Sequence, residues 1–306
     1  MISGMVANML FKPGQAPVFD SPAEYGLAFE SVEFQAKDGV TLRGWLIPGS
    51  KDKVIIQSHF GTMCCRSGYT NEGKGLNKAY ERDIHFLNQA KYLNDAGYTV
   101  LMYDFRGHGE SDVGTKPWIT WGTEEAKDVV AAVDYIATHP DYKDADIGLL
   151  SICMGQGAST EAFGLDEGLR HYPQLKTMIS VQPLDYGTFV EAMGLPGFVR
   201  NGVRKTMEKR VDLNLEAASW FRNVGDINVP VLVIQNRNDG YLNEGFVTAF
   251  YDSLSVEKEM MWIDIPKKKN RTHNRLAAYE WIGQNPEPVL NWFGKHLSTQ
   301  ENGDAS

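Results

Sequence analysis

The sequence predicts an α/β fold: a mostly parallel sheet of eight strands with helices on both faces. Three observations carry this expectation. Short β-rich runs alternate along the 306 residues with segments of helical period. Six of the runs, at 54–58, 99–104, 147–151, 177–182, 231–235 and 260–265, are apolar without alternation, as strands covered on both faces should be. Two earlier runs, 27–35 and 40–47, flank the turn signal Lys37-Asp38-Gly39 and read as an antiparallel hairpin.

The elements follow in order. Residues 1–26 read as an N-terminal extension. A helix is expected over 83–96, with Ile84, Leu87, Tyr92 and Leu93 on one face and Gly97 as its stop. A second is expected over 123–138, where Ala126, Val129, Val130, Val133, Ile136 and Ala137 recur at helical spacing. Thr123 is its candidate N-cap, and Glu124 and Glu125 suit the positive end of the dipole. A closing helix is expected over 287–297, led in by Pro286 and Pro288. Two segments break the strand–helix rhythm. One is the glycine-rich stretch 61–82. The other, 186–226, carries Met193, Phe198, Met207, Trp220 and Phe221 and is long enough to be a lid inserted in a core of 27–185 and 227–297. The tail 298–306 reads as disordered.

Composition narrows the function. Apolar residues make up 42% and charged residues 23%, which excludes global disorder and coiled coil. A net charge of −9 argues against nucleic-acid binding. No apolar run is long enough to span a bilayer, and the first residues make a poor signal peptide. Three cysteines, two of them adjacent at 64 and 65, do not build a disulfide framework, so a reducing cytoplasm is expected. Cys64 and Cys65 lack metal-ligand spacing, and no metal site is expected. The basic run Lys267–Lys269 with Arg271 reads as a solvated loop, or as a carboxylate or phosphate contact at a site mouth.

The most informative string is Leu149-Leu150-Ser151-Ile152-Cys153-Met154-Gly155-Gln156-Gly157. An apolar strand ends at Ser151, and small residues stand two positions either side of Cys153. A nucleophile elbow needs this pattern, because the strand-to-helix turn is too tight for larger neighbours. The turn holds the nucleophile in strained backbone at a helix N-terminus, where the dipole favours a thiolate. The competing reading is a buried core cysteine. Downstream, Asp239 follows the apolar run 231–235, and His273 follows the run 260–265. Asp185 and Asp226 are rivals for the acid. The order Cys153, Asp239, His273 is nucleophile, acid, base, the order of the α/β-hydrolase arrangement. In it His273 takes the thiol proton and Asp239 fixes the imidazole tautomer. An acyl-transfer oxyanion needs two backbone N–H donors. Met154, first in the elbow helix, supplies one. Phe60 is the candidate for the second, with Gly61 as fallback.

The stretch Tyr103-Asp104-Phe105-Arg106-Gly107-His108-Gly109-Glu110-Ser111 resembles the loop after the fourth strand in α/β-hydrolase-fold enzymes. The resemblance continues through the elbow, the Asp loop and the His loop, over about residues 28 to 297. With Cys at the elbow, the chain is similar to the dienelactone hydrolase-like branch and to Cys-containing polyketide transferase-like members. Two departures stand out: Ser151 replaces the usual glycine of the elbow, and Ser58-His59-Phe60-Gly61 resembles a His-Gly oxyanion motif with an inserted Phe.

The expected function is hydrolysis of an ester, thioester or lactone carbonyl through a Cys-His-Asp triad and an acyl-Cys intermediate. No metal or organic cofactor is required, and the partner is a small-molecule acyl substrate. Met193, Phe198 and Trp220 are candidate substrate contacts. A dehalogenase or epoxide hydrolase mechanism is excluded, since it needs a carboxylate at 153. Acyl transfer or cyclisation by the same Cys is the alternative, and a non-catalytic binding member of the fold is the third reading. Oligomeric state is not legible.

Overall fold

The sheet takes its shape from how its strands are buried. A computed structural model describes residues 2–74, 82–215, 217–269 and 271–297. Among the described residues the strands are β1 (Glu30–Gln35), β2 (Thr41–Ile47), β3 (Lys53–Ser58), β4 (Gly68–Tyr69), β5 (Ile84–His85), β6 (Thr99–Tyr103), β7 (Asp146–Ile152), β8 (Leu175–Val181), β9 (Val231–Asn236) and β10 (Lys258–Ile263). In β3, β7 and β9 nearly every residue is buried. Successive strand residues face opposite sides, so both faces of the central sheet must be covered.

The main sheet has eight strands in the order β1-β2-β6-β3-β7-β8-β9-β10. The hairpin β1–β2 and the pair β2–β6 are antiparallel; every pairing from β6 to β10 is parallel. This is the α/β-hydrolase fold. After β3 the chain moves to one side for β6, then crosses to the other for β7. That reversal opens a crevice at the C-terminal ends of β3 and β7, where open α/β sheets bind ligands.

The helices are α1 (Ile2–Phe11), α2 (Leu87–Asp95), α3 (Glu125–Thr138), α4 (Met154–Gly164), α5 (Tyr186–Ala192), α6 (Gly197–Val211), α7 (Glu244–Ser253), α8 (Arg271–Gln284) and α9 (Glu287–His296). α3 packs on α4, α2 on α8, and α1 on α6. Gly148 leaves room for α9: a Cβ there would come within 2.8 Å of the Phe293 ring.

Several elements depart from the sequence expectation. β10 is a half-exposed edge strand rather than a covered one, with Arg237 lying over Trp262. α2 starts four residues late, because Ile84 and His85 pair with Tyr69 and Gly68 in a small second sheet. Thr123 does not cap α3. Instead the Glu125 carboxylate accepts the N–H groups of Thr120 (2.9 Å) and Gly122 (3.0 Å). Residues 1–26 are not a bare extension, since they carry α1 and a 3₁₀ turn at Pro22–Tyr25. The segment 186–226 holds α5 and α6. Part of the 61–82 stretch (75–81) and the tail 298–306 lie outside the described residues. No helix among the described residues is long and apolar enough to cross a membrane. All three cysteines are buried free thiols.

Candidate active site

Cys153 sits where β7 turns into α4, with φ 52° and ψ −105°. That left-handed backbone is costly for a residue with a Cβ and persists only when the surroundings enforce it. Here they do. The Cys153 N–H donates to the Val181 carbonyl at 2.8 Å, extending the β7–β8 ladder through the turn. Gly155 must be bare: its Cβ would lie 2.8 Å from the Ser58 Cβ and 2.9 Å from the Ser58 carbonyl oxygen. Ser151 serves in place of glycine by hydrogen bonding its hydroxyl to that of Ser159 at 2.8 Å, which ties the strand to the helix behind the turn.

Five non-glycine residues with positive φ occur among the described residues. Three of them, Thr62, Trp121 and Cys153, line one cavity. A fourth, Gln182, ends β8, and its N–H donates to Ile234 in β9. Such a concentration of backbone strain is a mark of functional sites. The cavity is narrow, with a volume of about 60 Å³, and Cys153 lines it. Phe60, Gly61 and Met154 also border it. The Phe60 carbonyl accepts from His59 Nδ1 at 2.6 Å, and its ring stacks on Tyr279 at 4.5 Å. A Cβ on Gly61 would come within 2.8 Å of the Met154 sulfur, so the β3 turn and the elbow are in contact.

The Tyr279 hydroxyl and the Met154 N–H lie by the thiol, and both favour the thiolate. Burial outweighs them, and Asp239 repels the charge, so the thiol is pushed up to about 12. Asp239 follows β9. Its carboxylate accepts the Tyr241 N–H at 2.8 Å. Burial pushes it up to about 7, against the pull of that N–H, of Arg275 and of Gln235. Burial raises Tyr279 well above ordinary phenols, and Cys153 and Asp239 raise it further.

The structure therefore gathers Cys153, Met154, Phe60, Gly61 and Asp239, and adds Tyr279 and Tyr241. His273 is not among the described residues that line the cavity beside Cys153. His273 is buried in the first turn of α8, its pKa lowered by burial and by Lys268 and Arg82, with Glu280 opposing. Helix geometry gives the reason. Glu280 lies seven residues on, two turns along the same face. Tyr279 lies six residues on, about 240° round the axis. A continuous helix that directs Tyr279 to the thiol directs His273 toward Glu280, which Arg82 also meets at 3.1 Å.

The three expected substrate contacts do not border the cavity. Phe198 is 79% exposed at the start of α6. Trp220 is buried behind α4, edge-on to Phe246 and Phe250, against the bare face of Gly157. Met193 receives the Tyr241 hydroxyl on its sulfur at 3.8 Å. The cavity wall comes instead from Leu10, Ile119, Trp121, Leu184, Phe189 and Leu276. Nothing in the apolar pattern around Tyr279 or Leu10 distinguishes them from core residues. Trp121 carried one usable signal, its place beside Gly122 in a break between periodic segments.

The fold is that of the α/β hydrolases. The serine aminopeptidase S33 family model matches residues 75–191, a stretch that includes the elbow. Among curated proteins the chain is similar to the polyketide transferase grgF of Penicillium sp, 29% identical over 50% of this chain and 44% of that one. The chain spans about half the length of the curated relatives it matches. Among solved structures it resembles the Pyrococcus furiosus esterase Pf2001 (TM-score 0.64, 20% identity, covering 94% of this chain and 99% of that one). It also resembles the α/β hydrolase GrgF of Penicillium sp. sh18 (TM-score 0.61, 19% identity, covering 89% and 100%).

Proposed function

We propose that the protein is a cysteine-dependent acyl-transfer enzyme that hydrolyses an ester, thioester or lactone. One observation carries this reading: Cys153 is held in left-handed backbone at the first turn of a helix, facing an apolar cavity. Strain of that kind serves no packing purpose that a relaxed turn would not serve better.

In the proposed cycle His273 accepts the Cys153 proton and the thiolate attacks the substrate carbonyl. The Met154 and Phe60 N–H groups hold the oxyanion. The leaving group departs with the proton from His273. Water, deprotonated by His273, then attacks the thioester and releases the acid, returning a proton to the sulfur. Asp239 orients the imidazole and stabilises its charged form. In the conformation described, burial holds the thiol protonated, and Tyr279 rather than His273 adjoins the sulfur. The cycle therefore requires the first turn of α8 to shift, so that the imidazole replaces the phenol at the sulfur.

A second reading replaces water with an alcohol, amine or thiol acceptor. It is favoured by the relatives that are polyketide transferases. Product analysis with candidate acceptors separates the two, since free acid alone excludes transfer.

The test is intact-mass detection of an acyl adduct across activated esters, thioesters and lactones. The adduct is expected on Cys153, and Cys153→Ala is expected to lower turnover by about 10³-fold or more with its melting temperature little changed. Turnover retained in Cys153→Ala overturns the reading. Turnover retained in His273→Ala removes His273 as base and leaves the nucleophile standing.

A further inference from the structure

Resting on the acyl-transfer reading, we propose that the cavity beside Cys153 takes an apolar acyl chain and that Leu10, from the N-terminal helix, sets the length of chain admitted. Among the described residues lining the cavity there is no Asp, Glu, Lys, Arg or His. A carboxylate or ammonium on the acyl group would lose its hydration there without a partner, so charged acyl groups are rejected. That chemistry does not fit an aminopeptidase, which must hold a substrate ammonium.

The wall is a run of aromatic rings leading away from the thiol. Tyr241 meets Phe189 at 5.3 Å, Phe189 meets Trp121 at 4.5 Å, and Trp121 meets Phe11 at 6.1 Å. Leu10 borders the cavity from α1 and is 1% exposed. The end of α1 is stitched to the segments that form the site. Thr62, two residues beyond Phe60, donates its hydroxyl to the Leu10 carbonyl at 2.7 Å. The Ile119 N–H donates to the Phe11 carbonyl at 3.0 Å. Gln15 donates to the Met9 and Lys12 carbonyls at 3.0 and 2.9 Å. These bonds satisfy carbonyls that a helix end leaves open, and they fix Leu10 relative to the candidate oxyanion donor. At its other end α1 lies tight on α6, where a Cβ on Gly202 would come within 2.2 Å of the Ser3 hydroxyl. These contacts fix the backbone of α1 at Leu10 against the segments that line the site.

The experiment compares wild type, Leu10→Trp and Leu10→Ala on p-nitrophenyl esters from acetyl to dodecanoyl. Met9→Ala, exposed on the same helix, is the control. Leu10→Trp is expected to lower kcat/KM at least about tenfold more for the longest esters than for acetyl. Leu10→Ala is expected to favour longer chains. A turnover-independent arm measures thermal stabilisation by 2-alkanones of increasing length, expected to grow with chain length in wild type and to fall away in Leu10→Trp. If every ester changes by the same factor in both Leu10 variants, the assignment of Leu10 falls while the acyl-transfer reading stands. If no ester is turned over but ketone binding depends on residue 10, the cavity stands and the acyl-transfer reading falls. Ketone stabilisation indifferent to length and to residue 10 overturns the cavity assignment.

Discussion

Asp128 and Asp239 are both carboxyls that burial raises, and the molecule treats them in opposite ways. Asp128, in α3, meets Arg106 through Nε at 2.9 Å and Nη2 at 2.6 Å, and it also accepts the Arg106 N–H at 2.9 Å. The same guanidinium reaches Asp38 and Glu124. Burial pushes Asp128 up to about 7 even against the pull of Arg106. All three guanidinium nitrogens of Arg106 are engaged, tying the loop after β6 to α3 and to the β1–β2 turn. Asp239 has one backbone N–H and a more distant Arg275, and it shares its enclosure with a thiol and two phenols. Arg66–Asp104 repeats the first pattern, fully buried and paired. Where a carboxyl has only to hold the fold, the structure gives it a fixed cation. Beside Cys153 the structure supplies no such fixed cation: burial pushes Asp239 up to about 7, as it does Asp128, and what separates the two is the guanidinium that Asp128 holds and Asp239 lacks.

The comparison can be broken most severely at Arg106. Arg106→Ala strands Asp128 in the interior and is expected to cost about 3–5 kcal/mol in urea unfolding at neutral pH. The loss should shrink in acid, where Asp128 can take a proton. A loss under about 1 kcal/mol would show that the pair is not what secures the loop.

Asp239→Asn probes the other side. Burial makes native Asp239 hold its proton more tightly than the unfolded chain does. The stability this gives is fully present below the unfolded pKa of about 3.9 and is lost as pH rises through about 7. Wild type should therefore lose, from this group, up to about 1.4 kcal/mol per pH unit across that window, and Asp239→Asn should lack that slope. Parallel stability–pH curves for the two proteins would show that Asp239 is not shifted.

The smallest effect is expected at Tyr279. Its hydroxyl beside the sulfur lowers the thiol pKa, so Tyr279→Phe should slow iodoacetamide alkylation of Cys153 by a factor of about three to ten. An unchanged or faster rate would mean that the phenol does not govern the thiol.

Much of this was legible in the residues. Unalternating apolar runs marked the central strands, because full burial on both faces leaves no polar positions. Ser151, Gly155 and Gly157 marked the elbow, because steric exclusion around a tight turn acts on near neighbours in sequence. Asp239 was legible as the residue presented beyond a buried strand. The edge position of β10 was not, since which strand ends a sheet depends on pairing order rather than on local pattern. Two-residue strands such as β4 and β5 are too short to show a period at all.

The chain alone determined the order of the main-sheet strands and the tight turn at Cys153, because both follow from periodicity and from the small residues beside the turn. Only the tertiary structure decided which face of α8 meets the thiol and that Leu10 of α1 walls the cavity. It alone decided which buried carboxyl receives a guanidinium. Those outcomes depend on contacts between segments far apart in sequence, and no local pattern encodes them.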